Sequence, residues 1–196
     1  MIAYLLASLP TPRLGEAPAV TPEAFMDACG RILSEARTRE LASAFAPPID
    51  PAEAAAQDVG PPLGPTARAW SERAAYVDDA VVRARAARTG RGPHGHLRQP
   101  AGYRVDVVEA VARAFDAADP GTRERALDAL RWRLADELAA TEPAGFAARF
   151  ARAIQLRLAA RRAAWDVDVG WAALEAVLRR LERPLEDAVL GGPTHG

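Results

Sequence analysis

The stretch DPGTRERALDALRWRLADELAATEPAGFAARFARAIQLRL, residues 119–158, contains two apolar patterns in succession. The first pattern has leucines three and four positions apart: Leu127, Leu130, Leu134 and Leu138. The second has a bulky apolar residue at every fourth position: Phe146, Phe150, Ile154 and Leu158. Both spacings place the apolar side chains on one face of an α-helix. Glu142-Pro143 interrupts the pattern, so we expect two helices joined by a short turn and running antiparallel.

The same helical period continues toward the N-terminus. A helix is expected over about 106–118, after a long helix that starts near Thr66, and Asp119-Pro120-Gly121-Thr122 predicts a turn that ends in an N-cap. Thr21-Pro22-Glu23 and Ser34-Glu35 are typical helix starts. No segment alternates convincingly at period two. The prediction is an all-α protein with about eight helices in two lobes, forming an antiparallel helical bundle.

Proline and glycine clusters divide the chain into four parts. Residues 1–46 are interpreted as an N-terminal helical lobe and residues 47–65 as a Pro/Gly-rich connector. Residues 66–190 are interpreted as the helical bundle, and residues 191–196 as a disordered tail.

Composition excludes several classes of protein. The 25 basic and 26 acidic residues nearly cancel, which argues against a general nucleic-acid binder. The single cysteine, Cys29, cannot form an internal disulfide and fits a reducing cytoplasm. The opening MIAYLLASLP lacks the basic start of a signal peptide and is too short to span a membrane. We therefore expect a soluble cytoplasmic protein in which this run is a buried first element.

No catalytic group, cofactor site or metal site is expected from the motifs. His94 and His96 could share a metal ion, but a tight site needs three or four ligands, and a solvated loop is the simpler interpretation. Asp166 and Asp168 are better read as helix-capping residues than as an acid–base pair. The glycines at 90–92 lack the preceding strand that a phosphate-binding loop requires.

One basic stretch is a candidate partner-binding face. No acidic residue occurs between Asp79 and Asp106, and the segment holds six arginines: Arg83, Arg85, Arg88, Arg91, Arg98 and Arg104. Arginine makes bidentate contacts with carboxylates, so an acidic protein partner is the preferred interpretation over lipid headgroups or nucleic acid. The competing interpretation is a solvated helix face balanced by acids elsewhere. Charge reversal at Arg83, Arg85 and Arg88 is expected to disturb complex assembly if the face is functional.

Trp132 also allows two interpretations. It is not part of the leucine pattern of its helix, because it falls between Leu130 and Leu134 in the sequence. It could pack against another helix of the same molecule, or it could be an exposed anchor for a partner. Internal packing is the preferred reading.

Three segments together resemble a bacterial family of unknown function whose genes lie within V/A-type rotary ATPase gene clusters. The first is YLLASLP followed by a Pro-rich loop and TPEAFMDAC, residues 4–10 and 21–29. The second is ARAWSERAAYVDDAVVRARAARTG, residues 67–90. The third runs over residues 124–178 and begins ERALDALRWRLADEL. The match covers most of the chain.

The resemblance implies a non-catalytic component of a V/A-type ATPase in proton or sodium transport. Members of that family occupy the gene position where other organisms encode the C (or d) subunit, a helical socket that joins the central stalk to the membrane ring. The implied partners are those ATPase subunits, and the implied location is cytoplasmic and peripheral to the inner membrane. Two alternatives stay open: a helical adaptor or ATPase assembly factor, and an enzyme of unfamiliar type that uses His94 and His96.

Overall fold

Helices make up all the regular secondary structure in the part of the chain that the structure describes, and the protein is all-α there. The structure is a computed structural model, and it describes residues 9–46, 64–90, 92–93 and 97–165, together with Glu175. Six helices follow in chain order: α1 Pro22–Gly30, α2 Glu35–Ala42, α3 Pro65–Thr89, α4 Val105–Asp116, α5 Pro120–Ala140 and α6 Phe146–Ala163. Within these ranges no helix is both long enough and apolar enough to cross a membrane.

The helix starts follow the local sequence closely. The Thr21 hydroxyl accepts a hydrogen bond from the backbone N–H three residues later, at 3.2 Å, and the Ser34 hydroxyl does the same at 3.4 Å. Both caps were predicted. At α5 the cap is Asp119 rather than the end of the turn, because Pro120 fits the first helical position and Asp119 Oδ2 accepts the Thr122 N–H at 2.6 Å.

Two apolar clusters form the core, and α5 contributes to both. The first joins α1, α2 and α6 around Phe25, Cys29, Leu41, Phe150 and Ile154. The second joins α3 and α4 around Val77, Val81, Val107, Val111 and Phe115. All eight residues of the two apolar patterns in 119–158 are buried, as predicted. Each such side chain contributes about 1.5–3 kcal/mol by leaving water.

The helices of the 119–158 segment run antiparallel. Asp128 of α5 contacts Arg161 of α6, while Asp136, two turns later in α5, accepts a hydrogen bond from Gln155 Nε2 at 2.6 Å. Residue numbers therefore increase along α5 in the direction in which they decrease along α6, so the two helices are antiparallel. A turn of five residues, 141–145, is long enough for this arrangement.

Helices α3 and α4 are parallel to each other instead. Arg104 and Val108, at the start of α4, line the same recess as Tyr76 and Asp79 in the middle of α3. At the other end, Arg88 of α3 donates a hydrogen bond to the carbonyl of Phe115 in α4. The described residues 97–104 therefore lie back along α3. That return places the basic stretch against the side of α3.

Glu40 connects the first 46 residues to the rest of the molecule. Its carboxylate Oε1 accepts the backbone N–H groups of Thr66 and Ala67, at 2.8 and 3.1 Å, and so caps the N-terminus of α3. A Cβ at Gly64 would lie 2.0 Å from the Glu40 carboxyl carbon, so a larger residue there would displace the carboxylate from this cap. Residues 47–63 lie outside the described ranges, so the division at 47–65 stays a prediction.

Candidate partner-binding surface

The return segment between α3 and α4 is fastened to α3 by a buried carboxylate. Asp79 is only 1% exposed, and its two oxygens accept the backbone N–H groups of Arg98 at 2.8 Å and Gln99 at 3.0 Å. Arg83 Nη2 lies 3.7 Å from Asp79 Oδ2, one helical turn away. Hydrogen bonds to a charged acceptor are among the stronger ones in proteins, so Asp79 fixes the path of the segment.

The backbone of this segment is held in a conformation that few residues adopt. Gln99 has φ +50°, in the left-handed region that costs a non-glycine residue free energy, and Gly102 has φ +84°. The Tyr76 hydroxyl donates to the carbonyl of Ala101 between them. The contacts of Asp79 and Tyr76 offset the strain and present the end of the segment in one defined shape.

A recess of about 380 Å³ opens where this segment meets α3 and α4. Tyr103 at its rim is 69% exposed, and Val105 beside it is 56% exposed. Arg83 and Arg104 line the recess together with Tyr103. Tyrosine and arginine are enriched where protein interfaces bind tightly. We call the surface formed by Arg83, Tyr103, Arg104 and Val105 the recess surface.

Three of the six arginines predicted as a partner-binding face lie at or near the recess, and each faces an acid. Arg83 lies near Asp79, and Arg98 Nη1 is 3.7 Å from Asp78 Oδ2. Arg104 makes the closest pair, 2.8 Å from its Nη2 to an oxygen of Asp106.

Two other described arginines of the stretch, Arg85 and Arg88, lie away from the recess. Two residues along an α-helix turn by about 200°, so Arg85 points away from Arg83. Its side chain is exposed. Arg88 packs over the ring of Phe115, 5.3 Å from its centroid. Arg91 lies outside the described residues. Among the described arginines of the stretch, Arg85 and Arg88 therefore lie apart from Arg83, and the role of the six arginines in binding stays a prediction.

Arg104 is the centre of an ion-pair network at one side of the recess. Its guanidinium binds Asp106 at 2.8 Å and reaches Glu137 of α5 at 3.1 Å, while Arg133 Nη1 lies 3.0 Å from Asp106. The hydrogen bond from Arg104 holds the pKa of Asp106 well below its usual range, and Arg133 adds to the effect. The same bond raises the pKa of Arg104. The network ties α4 to α5 under the recess surface.

This network gives a pH dependence that can be measured. A carboxyl whose pKa is lowered by folding stabilises the protein above its unfolded pKa, about 3.9, and loses that contribution as the pH falls toward the folded value. We expect the Asp106 carboxyl, followed by carbon-13 NMR, to titrate well below 3.9. Arg104→Gln should move the midpoint up toward 3.9. Arg113→Gln, which removes a separate pair with Glu109, should leave it unchanged. Identical midpoints in the wild type and Arg104→Gln would refute the assignment.

The other candidates from the sequence fall outside this surface. His94, His96, Asp166 and Asp168 are not among the described residues. Where the chain is described, no three His, Cys, Asp or Glu side chains group closely enough to hold a metal ion. Cys29 is fully buried in α1.

Trp132 is half-buried and packs against the first core cluster, which agrees with internal packing. Its remaining surface lines a second recess, of about 610 Å³, between α5 and α6. Asp136, Arg152 and Gln155 supply the polar groups of that recess, and Arg152 donates to the carbonyl of Pro10 at 3.2 Å. The hydrogen bonds of these groups within the protein hold α5, α6 and the segment before α1 together.

The sequence predicts the arginines as a partner-binding face, but it does not predict the acids that position them. In the sequence, Asp79 is only the last acid before the basic stretch. A signal was present, because Asp79 lies between Val77 and Val81 in an apolar part of α3, where a carboxylate needs a partner. The partner is backbone twenty residues away in sequence, which no local pattern predicts.

Comparison with known proteins returned no relatives: no family model matches the chain, and neither a curated protein nor a solved structure matches it.

Proposed function

We propose that this protein is a non-catalytic helical component of a V/A-type rotary ATPase, comparable to the C (or d) socket subunit between central stalk and membrane ring. The observation that supports the proposal most is the recess surface. It places Arg83, which lies in one of the segments that carry the family resemblance, beside Tyr103 and Arg104 on a fixed helical frame. In this proposal the protein has about eight helices in two lobes and is cytoplasmic and peripheral to the inner membrane.

The recess surface suits an acidic protein partner. Arg83 lies 3.7 Å from Asp79 and its side chain is 49% exposed, so it retains donors that can reach a second carboxylate. Tyr103 offers a large, exposed side chain with few rotatable bonds, which costs little conformational entropy to bury. The fastened backbone behind it means that little ordering is needed on binding. These three features favour recognition of an acidic segment on a stalk subunit.

The proposal is tested by affinity purification of the tagged protein from its native cell, with quantitative mass spectrometry. We expect nucleotide-binding, stalk and ring subunits in near-constant ratio. The variant Arg83→Gln/Tyr103→Ala should reduce their recovery at least tenfold, because the two side chains carry the contact. The matched control is Arg85→Gln, an exposed arginine of the same helix that points away from the recess. It should recover the subunits normally.

Other outcomes of the purification separate the alternatives. Recovery of ATPase subunits in amounts far below one copy per complex would favour an assembly factor over a stoichiometric subunit. Recovery of the protein alone, or with unrelated partners, would overturn the ATPase proposal. An equal loss of subunit recovery in Arg85→Gln and in the recess variant would overturn the role of the recess surface. It would not contradict the proposal that the protein belongs to the ATPase complex.

A further inference from the structure

The second recess, beside Trp132, has the size and lining of a small-molecule site. Its volume is about 610 Å³, within the roughly 300–1,000 Å³ typical of ligand pockets. Its polar groups are Asp136, Arg152 and Gln155. Because α5 and α6 are antiparallel, these groups gather at one end of the seam between the helices. Small apolar residues line the part nearer the turn that joins α5 to α6: Ala139, Ala140, Pro143, Ala144 and Ala148.

A buried glutamine sets the position of the Asp136 carboxylate in this recess. Gln155 is only 7% exposed, and its Nε2 donates to Asp136 Oδ1 at 2.6 Å. Asp136 itself is exposed, and its Oδ2 forms no hydrogen bond or ion pair with the residues that the structure describes. One oxygen of the carboxylate is therefore held by the protein, while the other can accept a hydrogen bond from a ligand.

Arg152 supplies a positive charge from the α6 side of the recess. In the described part of the chain its guanidinium makes one hydrogen bond, from Nη1 to the carbonyl of Pro10 at 3.2 Å, so its other N–H groups stay available. Burial lowers the pKa of Arg152, and the negative charge of Asp136 opposes that effect. The two side chains are thus near each other, yet among the described contacts they form no ion pair. A gap between a carboxylate and a guanidinium fits a ligand that carries both opposite charges.

We propose that the second recess binds a free α-amino acid with an apolar side chain. Asp136 Oδ2 accepts a hydrogen bond from the ammonium group of the ligand, and the guanidinium of Arg152 binds its carboxylate, which arginine can do bidentately. The side chain of the ligand lies along the alanines, next to Trp132. A ligand with only a positive charge is repelled by Arg152, and one with only a negative charge is repelled by Asp136. This site is independent of the recess surface and of the proposed role in an ATPase.

The first test titrates the full wild-type chain with L-leucine by calorimetry, so it does not depend on how a variant folds. Two analogues each lack one charged group: isopentylamine has no carboxylate, and isocaproate has no ammonium group. We expect each analogue to bind at least tenfold more weakly than leucine, because each loses one charge-assisted contact. Absence of binding by leucine, methionine and phenylalanine at millimolar concentration would overturn the proposal. Equal binding of leucine and either analogue would also overturn it, since the site would then recognise one charge only.

Variants then assign each charge of the ligand to its residue. Asp136→Asn should weaken leucine binding at least tenfold and remove the preference for leucine over isocaproate, because the ammonium group loses its partner. Arg152→Gln should weaken leucine binding as much and remove the preference for leucine over isopentylamine. The matched controls are the exposed Asp116→Asn and Arg85→Gln, which should bind leucine like the wild type. Preferences that stay unchanged in both recess variants would refute the site, even where leucine still binds the protein.

Discussion

Asp128→Ala is expected to lower the free energy of unfolding by roughly 3 kcal/mol or more. Removing one partner of a buried ion pair typically costs 3–5 kcal/mol, because the remaining charge stays in the protein without a counter-ion. Here Arg131 and Arg161 would lose their shared carboxylate and would repel each other and Arg157. Arg161 is 43% exposed and can turn toward water, which places the expected value at the lower end. Urea unfolding followed by circular dichroism measures the change.

The control for this prediction is Asp116→Ala, an exposed acid at the end of α4, which should change stability by less than about 0.5 kcal/mol. A loss of stability as small as that of Asp116→Ala would mean that Asp128 does not hold the arginines together.

The parts of the fold that were predicted from sequence depend on local interactions. The caps at Thr21 and Ser34 bind N–H groups three residues away, and the apolar patterns of α5 and α6 repeat within a turn. Such features are readable because both partners lie within a few positions of each other. The polar anchors are different. Glu40 caps α3 from 26 residues away, and Asp128 meets Arg161 across 33.

The features of the candidate site also divide into those that the local sequence predicts and those that depend on tertiary contacts. The basic stretch is visible as composition, yet the sequence treats Arg83 and Arg85 as members of one face. In the α-helix these two side chains point in different directions. Asp79 holds the backbone of the returning segment beside Arg83, so Arg83 lines the recess. A parallel α3 and α4 joined by a long return was not predicted either, because the connection's length allows many paths. Which arginines meet a partner is therefore decided by tertiary contacts.

Arg149 is a buried cation that neither the sequence patterns nor the proposed sites use. It lies in α6 at 1% exposure, and its Nε and Nη2 atoms have no hydrogen-bond partner in the described ranges. Burial lowers the pKa of Arg149, and the nearby Cys29 and Glu142 only partly oppose that effect. A guanidinium with two unsatisfied N–H groups inside an apolar core is unfavourable by several kcal/mol relative to water.

Arg149→Met is therefore expected to stabilise the protein. Methionine keeps an unbranched, flexible side chain that fills much of the same space, and it removes the buried charge. Replacing buried charged groups by apolar residues of similar size stabilises proteins by about 1–4 kcal/mol. For a chain of this length each kcal/mol raises Tm by roughly 2–4 °C. Thermal and urea unfolding of the two proteins side by side measure the effect.

Arg149→Ala separates the charge from the packing. It removes the same cation but leaves a cavity beside Phe150 and Cys29, so we expect a free energy of unfolding about 2–5 kcal/mol below that of Arg149→Met. If methionine instead destabilises as much as alanine, the guanidinium contributes favourably to the native state. Its counter-charge would then be the carboxylate of Glu142, which opposes the effect of burial on the pKa of Arg149. A gain in stability with methionine would mean that Arg149 is retained at a cost to folding, as charged residues that serve a function often are.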